Sequence, residues 1–424
     1  MKTGSRKWQF GILVCAVLAG ISLYSGTEKG PAELPAESVQ KVREAVSGEQ
    51  RTEISGIISR AAVLMDGDTG RVLYGKNEEE ILPMASTTKI MTCILALENA
   101  SPDETVKVSS YASSMPDVQL NIREGETYRL EDLLYSLMLE SHNDSAVAIA
   151  EHVAGSTEQF AVMMNQKARD IGCTGTYFLT PNGLDRTDEA SGKSHSTTAK
   201  DLAAMMRYCI LQSSKREQFL AITRCPSHSF SNLERTRSFS CMNHNALLTN
   251  MEGAISGKTG FTNEAGYCYV GAVKKGDKTF ICALLACGWP PHKTYKWQDL
   301  RKLIAYGDET FDYREILKQE IRLDEIPVTD GIGEKTGVRI LYPEEESLKI
   351  LMAADEPVTV KKKVAKELRA PVEPGMTAGQ IDYYVGGDLI ASYPILTTDR
   401  VGRWNVEFCA KTLLNRFLFC YNPE

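Results

Sequence analysis

A serine and a lysine lie three residues apart at the head of an apolar run, PMASTTKIMTCILALENA, from Pro83 to Ala100. On a helix, positions i and i+3 share a face, so the Lys89 amine can reach the Ser86 hydroxyl. If the pair is buried, desolvation and nearby positive charge lower the pKa of Lys89, and its neutral amine can take the hydroxyl proton. The spacing predicts a serine nucleophile with lysine as its general base. The free N–H groups of a helix N-terminus can stabilise the developing oxyanion.

A second group of polar residues, Ser141-His142-Asn143, lies where the helical pattern of EDLLYSLMLE breaks. A loop at this point can project a hydroxyl that shuttles a proton and an amide that holds a substrate carbonyl. The alternative is an ordinary helix cap, in which Ser and Asn make only local hydrogen bonds. We expect His142 to face solvent rather than to tune the pH dependence.

The third group is Lys258-Thr259-Gly260, just ahead of a β-type run. A strand edge with Lys and Thr offers a cation and a hydroxyl to a carboxylate, and Gly allows a ligand to approach the backbone. Each motif alone is a weak signal, because 38–41 repeats the SxxK spacing and 335–337 repeats KTG. The order SxxK, SxN and KTG along one chain is specific.

These motifs resemble those of the low-molecular-mass penicillin-binding D-alanyl-D-alanine carboxypeptidases, the serine enzymes that trim bacterial cell-wall peptides. The phrases PMASTTKIMT, SHND, TPNGLD and GKTGFTNEAGYC are similar to that family. The resemblance implies that Ser86 is the acylated nucleophile and Lys89 its general base. It also implies that Ser141 and Asn143 relay a proton and bind substrate, and that Lys258 supplies positive potential.

The resemblance further implies a substrate-binding stretch next to Lys258, formed by Thr259, Gly260, Phe261 and Thr262. Thr259 would bind the terminal carboxylate, and the backbone N–H groups of Ser86 and Phe261 would form the oxyanion hole. No metal or other cofactor is implied. A further cation from Lys293, Lys296 or Arg301 could help to hold the carboxylate, and the sequence does not choose among them. The implied partners are peptidoglycan D-Ala-D-Ala stem peptides and, as covalent inhibitors, β-lactam antibiotics.

Three rival functions share the motifs. A serine β-lactamase usually displays a water-activating carboxylate as ExxLN between the second and third motifs, and no Glu in that interval begins this pattern. A non-catalytic penicillin-binding sensor would have lost reactive residues, whereas all of them are present here. An endopeptidase acting on cross-links would use the same residues in a more open cleft.

Composition and patterning set the organisation of the chain. The net charge of −7 over 424 residues argues against a nucleic-acid partner. Positive charge followed by an apolar stretch over 10–24 predicts export, through a signal peptide or an N-terminal anchor over 1–28. A polar linker is expected over 29–53, and the protein is expected at the extracytoplasmic face of the cell membrane or in the wall.

The remaining pattern predicts an α/β (α+β) fold. Residues 54–317 should form a catalytic domain with a mainly antiparallel sheet and a helical subdomain, similar to the serine β-lactamase and penicillin-binding transpeptidase domain. Short alternating runs between turn signals predict a small all-β domain over 318–398. Helical spacing returns over 399–424, with an apolar stripe of Val406, Cys409, Leu413, Phe417 and Cys420. That helix could pack on its own protein or lie on a membrane surface. The eleven cysteines are expected to be mostly buried free thiols.

Overall fold

The computed structural model describes residues 54–317, 321–342 and 347–419. The predicted export segment, the predicted linker and Cys420 lie outside the described residues. The predicted fold class is confirmed: helices and an antiparallel sheet come first, and an all-β region follows. The boundaries proposed for each domain stay a prediction.

A five-stranded antiparallel sheet forms the centre of the first part, in the order β2-β1-β9-β8-β7. The strands of this part of the chain are β1 (Ala61–Asp66), β2 (Val72–Lys76), β3 (Thr105–Lys107), β4 (Thr127–Arg129), β5 (Ser227–Ser231), β6 (Ser238–Met242), β7 (Ala254–Thr262), β8 (Gly266–Lys275) and β9 (Lys278–Leu285). The helices are α1 (Lys89–Asn99), α2 (Ser110–Ser113), α3 (Leu130–Leu139), α4 (Asn143–Ala154), α5 (Thr157–Ile171), α6 (Ala199–Arg207), α7 (Arg216–Arg224), α8 (Leu247–Asn250), α9 (Tyr295–Thr310) and α10 (Val406–Phe419).

The sheet is covered on both faces, which explains why strand β1 is buried along its whole length. Side chains alternate between the two faces of a strand. Ala61 and Val63 therefore join the core shared with α1, α3 and α4, whereas Ala62 and Leu64 join the core shared with α9. Residues 67–71 form the turn between β1 and β2.

Two features of this architecture position the chemistry. Strand β7 is an edge strand, paired only with β8 in the sheet order, and it carries the KTG motif. The helical stretch predicted ahead of SHND is confirmed as α3, and α4 follows the turn. Three segments can therefore meet: the start of α1, the α3–α4 turn and the free side of β7.

The β-rich part forms three small sheets, with a four-stranded one in the order β13-β18-β17-β15. Its strands are β10 (Phe311–Glu315), β11 (Ile326–Thr329), β12 (Lys335–Thr336), β13 (Val338–Ile340), β14 (Lys349–Ala353), β15 (Val358–Val364), β16 (Leu368–Arg369), β17 (Thr377–Val385) and β18 (Asp388–Thr397). The buried Arg71 of the β1–β2 turn contacts this part, because it donates to the Leu351 carbonyl at 3.1 Å and pairs with Glu356 and Asp388.

Four large apolar residues of α10 lie in solvent. Val406 and Phe417 are 86% and 83% exposed, and Leu413 and Leu414 are also exposed. The described residues therefore do not show this apolar stripe packed against the protein itself. Within those residues, no helix combines the length and apolarity that crossing a membrane requires.

The expected free thiols are confirmed for the part of the chain that the structure describes. Its cysteines form no disulfide there, and most of them are buried. Burial raises the pKa of such thiols, as at Cys268, where it reaches about 12. They act as small apolar side chains in the core.

Candidate active site

Ser86 lies in a short 3₁₀ turn, Ala85–Thr88, that leads directly into α1. In a 3₁₀ turn, residues i and i+3 eclipse one another, which brings Lys89 onto Ser86 more directly than an α-helix does. Ala85, just before the nucleophile, has a left-handed φ of +49°. An alanine in this region is strained by about 1 kcal/mol, so surrounding contacts must hold the turn.

The Lys89 amine has three close contacts. Nζ lies 2.7 Å from Ser86 Oγ, 2.9 Å from Asn143 Oδ1 and 2.7 Å from the Asn182 carbonyl oxygen. The two carbonyl-type oxygens can only accept, so they take two N–H bonds from the amine. A neutral amine has two N–H groups and one lone pair, and the lone pair then faces the Ser86 hydroxyl. The three contacts accommodate an ammonium that donates to all three oxygens and equally a neutral amine whose lone pair accepts the Ser86 proton.

The electrostatic surroundings favour the neutral amine. Lys89 is fully buried. Burial is the largest cause that holds the pKa of Lys89 well below its ordinary value, and the positive charge of Lys258 adds to it. Asp144 opposes the shift. Desolvation penalises the ammonium form, which favours the neutral amine that a general base requires.

The Ser141-His142-Asn143 turn places its side chains in this cleft. Ser141 has a left-handed φ of +68°. The Asn143 amide is oriented by the loop opposite, because Nδ2 donates to the carbonyls of Pro116 and Asp117 at 3.1 Å each. Its Oδ1 therefore faces Lys89. The helix-cap alternative is wrong, since His142 is the N-cap of α4 and makes no side-chain cap hydrogen bond.

The expectation that His142 faces solvent is wrong. His142 is 8% exposed, and its Nδ1 lies 2.8 Å from Ser136 Oγ, which in turn lies 2.8 Å from Ser145 Oγ. Burial is the largest cause that lowers the pKa of His142. The ring packs at the junction of α3 and α4.

Lys258 brings the third motif to the same place. Its side chain is buried, and Nζ donates to Ser141 Oγ and to the Thr259 carbonyl at 2.9 Å each. Burial lowers the pKa of Lys258 to about 7. The structure thus brings two hydrogen-bonded pairs together in one cleft. Lys89 pairs with Ser86, and Lys258 pairs with Ser141.

Gly260 is needed because the nucleophile turn lies directly against β7. A Cβ at this position would lie 2.9 Å from the Ser86 backbone nitrogen and 3.0 Å from that of Thr87. Phe261, the next residue, is 38% exposed and its ring centroid is 4.8 Å from that of Tyr267. The Thr262 hydroxyl accepts from the Ala265 N–H at 3.0 Å and so serves the β7–β8 turn.

Asn182 is a site residue that the motif analysis missed. Its contribution is a main-chain carbonyl, which has no side-chain signature; the only sequence signal is the Asn-Gly turn in TPNGLD. Gly183 in that turn has φ +86°, and a Cβ there would lie 2.1 Å from the Ala85 carbonyl oxygen. This segment forms the wall of the cleft behind Lys89.

The predicted extra cation stays unassigned. Lys296 is buried, donates to the Lys293 carbonyl at 2.7 Å and lies 4.7 Å from the Tyr267 ring centroid. Arg301 lies near Trp297 in a different, small cavity. In the described residues, no three His, Cys, Asp or Glu side chains are grouped so that they could hold a metal ion.

Two family profiles and several known proteins match this chain. The profile of peptidase family S11, D-alanyl-D-alanine carboxypeptidase, matches residues 47–287, and that of the penicillin-binding protein 5 C-terminal domain matches residues 311–403. D-alanyl-D-alanine carboxypeptidase DacF of Bacillus subtilis is 28% identical over 347 residues, which cover 80% of this chain and 84% of the relative.

Two solved structures extend the comparison. The D-alanyl-D-alanine carboxypeptidase DacD from Francisella tularensis superposes with a TM-score of 0.63 at 22% identity, covering 84% of this chain and 96% of the other, and shows the shared fold. Penicillin-binding protein D2 from Listeria monocytogenes, in its cefotaxime-bound form, gives a TM-score of 0.51 at 29% identity, covering 59% of this chain and 97% of the other.

The close approach of β7 to the nucleophile turn leads to a test. Gly260→Ala should push the strand away from Ser86, because its Cβ meets backbone nitrogen atoms that cannot move independently. We expect labelling of Ser86 by a small phosphonyl fluoride, which reacts with activated serine hydroxyls, to slow by about 100-fold. Gly402→Ala is the matched control, since its Cβ would lie 3.5 Å from Ile332 in ordinary contact. Wild-type labelling of Gly260→Ala would contradict the assignment.

Proposed function

The chain belongs to the D-alanyl-D-alanine carboxypeptidase family of serine peptidases, and we propose that it removes the terminal D-alanine from peptidoglycan stem peptides through an acyl-enzyme on Ser86. The observation that carries this proposal is the contact pattern at Lys89 Nζ, with two obligate acceptors and one hydroxyl. It supports a lysine base acting on a serine nucleophile.

Acylation begins when the neutral Lys89 amine takes the Ser86 proton. Ser86 Oγ then attacks the carbonyl carbon between the two D-alanine residues. In this proposal the backbone N–H groups of Ser86 and Phe261 stabilise the oxyanion, and the close approach of Gly260 to the Ser86 nitrogen supports it. Ser141, which accepts a hydrogen bond from Lys258, gives its hydroxyl proton to the amine of the leaving D-alanine and receives in return the proton that Lys89 took from Ser86.

Lys258 and Thr259 recognise the free carboxylate that marks the end of the stem peptide. The ammonium of Lys258 supplies positive potential, and Thr259 donates a hydroxyl hydrogen bond from the exposed edge of β7. A bound carboxylate favours the protonated form of Lys258, so that substrate binding raises the pKa of that lysine. The acyl-enzyme is then hydrolysed by water. Gly260 allows β7 to approach the nucleophile turn closely, and the Thr262 hydroxyl stabilises the β7–β8 turn.

β-Lactam antibiotics acylate the same hydroxyl, because their strained amide carbonyl and carboxylate present the same groups to the site. The cefotaxime-bound relative supports this part of the proposal. A β-lactamase function is not favoured, since no ExxLN pattern supplies a water-activating carboxylate between the second and third motifs.

The location of the protein is also proposed. A peptidoglycan substrate requires action outside the cytoplasm, and the charged-then-apolar order over 1–28 fits export. The exposed Val406, Leu413, Leu414 and Phe417 support contact of α10 with a membrane surface. The β-rich part would then lie between this helix and the catalytic cleft.

The acyl-enzyme is tested by intact mass after brief exposure of the full chain to penicillin. We expect one adduct on the wild type and none on Ser86→Ala, because that substitution removes the nucleophile. Ser38→Ala, at the other SxxK spacing, is the matched control and should retain the adduct. An adduct on Ser86→Ala would remove the site assignment.

The two lysines predict a bell-shaped pH dependence of the penicillin acylation rate. Lys89 must be neutral, so the rate falls as pH drops through its lowered pKa. Lys258 must be charged, so the rate falls as pH rises through about 7 in the free enzyme. Lys258→Arg should remove the alkaline limb, because a guanidinium stays protonated. Lys335→Arg, in the second KTG, should leave the profile unchanged. An alkaline limb that persists in Lys258→Arg would contradict the assignment.

The membrane role of α10 is tested by deleting 403–424. We expect the full-length protein in the membrane fraction and the truncated protein in the soluble fraction, with equal penicillin acylation rates. The matched control replaces Leu413 and Phe417 with Ser, which removes apolar surface without shortening the chain. Equal partitioning of full-length and truncated proteins would contradict this role.

A further inference from the structure

His195 is a buried histidine that the mechanism above does not use. It is 2% exposed and lies between the nucleophile turn and the segment that leads to Asn182. Its Nε2 lies 2.8 Å from Thr88 Oγ1. Its Nδ1 lies 3.0 Å from the backbone nitrogen of Leu179 and 3.3 Å from that of Thr180.

These partners define the tautomer of the ring. Backbone N–H groups can only donate, so Nδ1 accepts from Leu179 and Thr180 and carries no proton. In a neutral imidazole the proton is then on Nε2, which donates to Thr88 Oγ1. Burial, with the charge of Lys89, lowers the pKa of His195 to about 3, which keeps this tautomer at neutral pH.

The hydrogen bond continues from Thr88 to the nucleophile turn. Thr88 Oγ1 accepts from His195 and donates to the Ala85 carbonyl oxygen at 2.8 Å. Ala85 is the residue with φ +49° that precedes Ser86. This chain of hydrogen bonds therefore holds the strained backbone of Ala85, which orients the Ser86 hydroxyl.

The other end of the ring holds the opposite wall of the cleft. Leu179 and Thr180 lead into Asn182, whose carbonyl accepts from Lys89 Nζ at 2.7 Å. One imidazole thus connects the backbone that carries Ser86 with the backbone that orients Lys89.

We propose that His195 is a positioning residue for acylation, which holds the Ser86 hydroxyl and the Asn182 carbonyl at the separation that lets Lys89 contact both. The inference rests on the proposed acyl-enzyme on Ser86. It assigns His195 no contact with the substrate. Its effect is on the geometry of the reacting hydroxyl and its base.

The test uses Thr88, because His195→Ala alone could unfold the core. Thr88→Val removes the hydroxyl at nearly constant volume, and Thr88→Ser retains it. Stopped-flow acylation of the full chain by a chromogenic cephalosporin separates the limiting acylation rate from the dissociation constant of the initial complex. Burst amplitude and thermal unfolding report the fraction that is folded.

We expect Thr88→Val to lower the limiting rate by about 10- to 100-fold, with the dissociation constant and burst amplitude close to those of the wild type. Thr88→Ser should restore the rate. Adding His195→Asn, whose amide retains an acceptor for the Leu179 N–H, to Thr88→Val should lower the rate little further, since both act through one connection.

A wild-type limiting rate in Thr88→Val would overturn the inference, as would an equal loss in Thr88→Ser or a loss confined to the burst amplitude. Failure of the wild type itself to form an adduct on Ser86 is a separate outcome. It would overturn the proposed function and, with it, this inference.

Discussion

An ammonium group taken out of water loses hydration that nearby carbonyl oxygens replace only in part. Lys89 is in that position, fully buried, with Lys258 as a second positive group in the same cleft. The uncharged amine is therefore the stable form. The rest of the site depends on this constraint, because a hydroxyl 2.7 Å away becomes a nucleophile only if the amine can accept its proton. The Asn143 and Asn182 oxygens direct the lone pair of the amine toward it.

The fold excludes water from the Lys89 amine by bringing together three distant segments. The start of α1 carries the pair, the α3–α4 turn closes one side, and the edge strand β7 closes the other. Gly260 allows the last contact, since any side chain there would meet the Ser86 backbone. Two of the residues with left-handed φ, Ala85 and Ser141, lie at points where side chains must turn into the cleft. Backbone strain at these two points is balanced by the packing around them.

Much of this could be predicted from local patterns. The i, i+3 spacing of Ser86 and Lys89, the break between α3 and α4, and the β-run after KTG each specify a local structure. The order of the motifs predicted that they meet. Contacts made by main-chain atoms from remote segments could not be predicted: the Asn182 carbonyl has no residue-type signature. His142 was expected in solvent, and no motif marks His195, because burial is decided by tertiary packing, which one sequence does not display. The apolar stripe of α10 fitted two environments equally.

The central claim is that Lys89 is uncharged in the resting protein. The most direct measurement is the titration of its side chain by NMR of ¹³C-labelled lysine in the full chain, with the signal assigned by its loss in Lys89→Met. We predict a midpoint well below the ordinary lysine value of about 10.4, so that the amine is neutral at neutral pH. A Lys89 signal that stays in the ammonium form up to the ordinary lysine range would contradict the account.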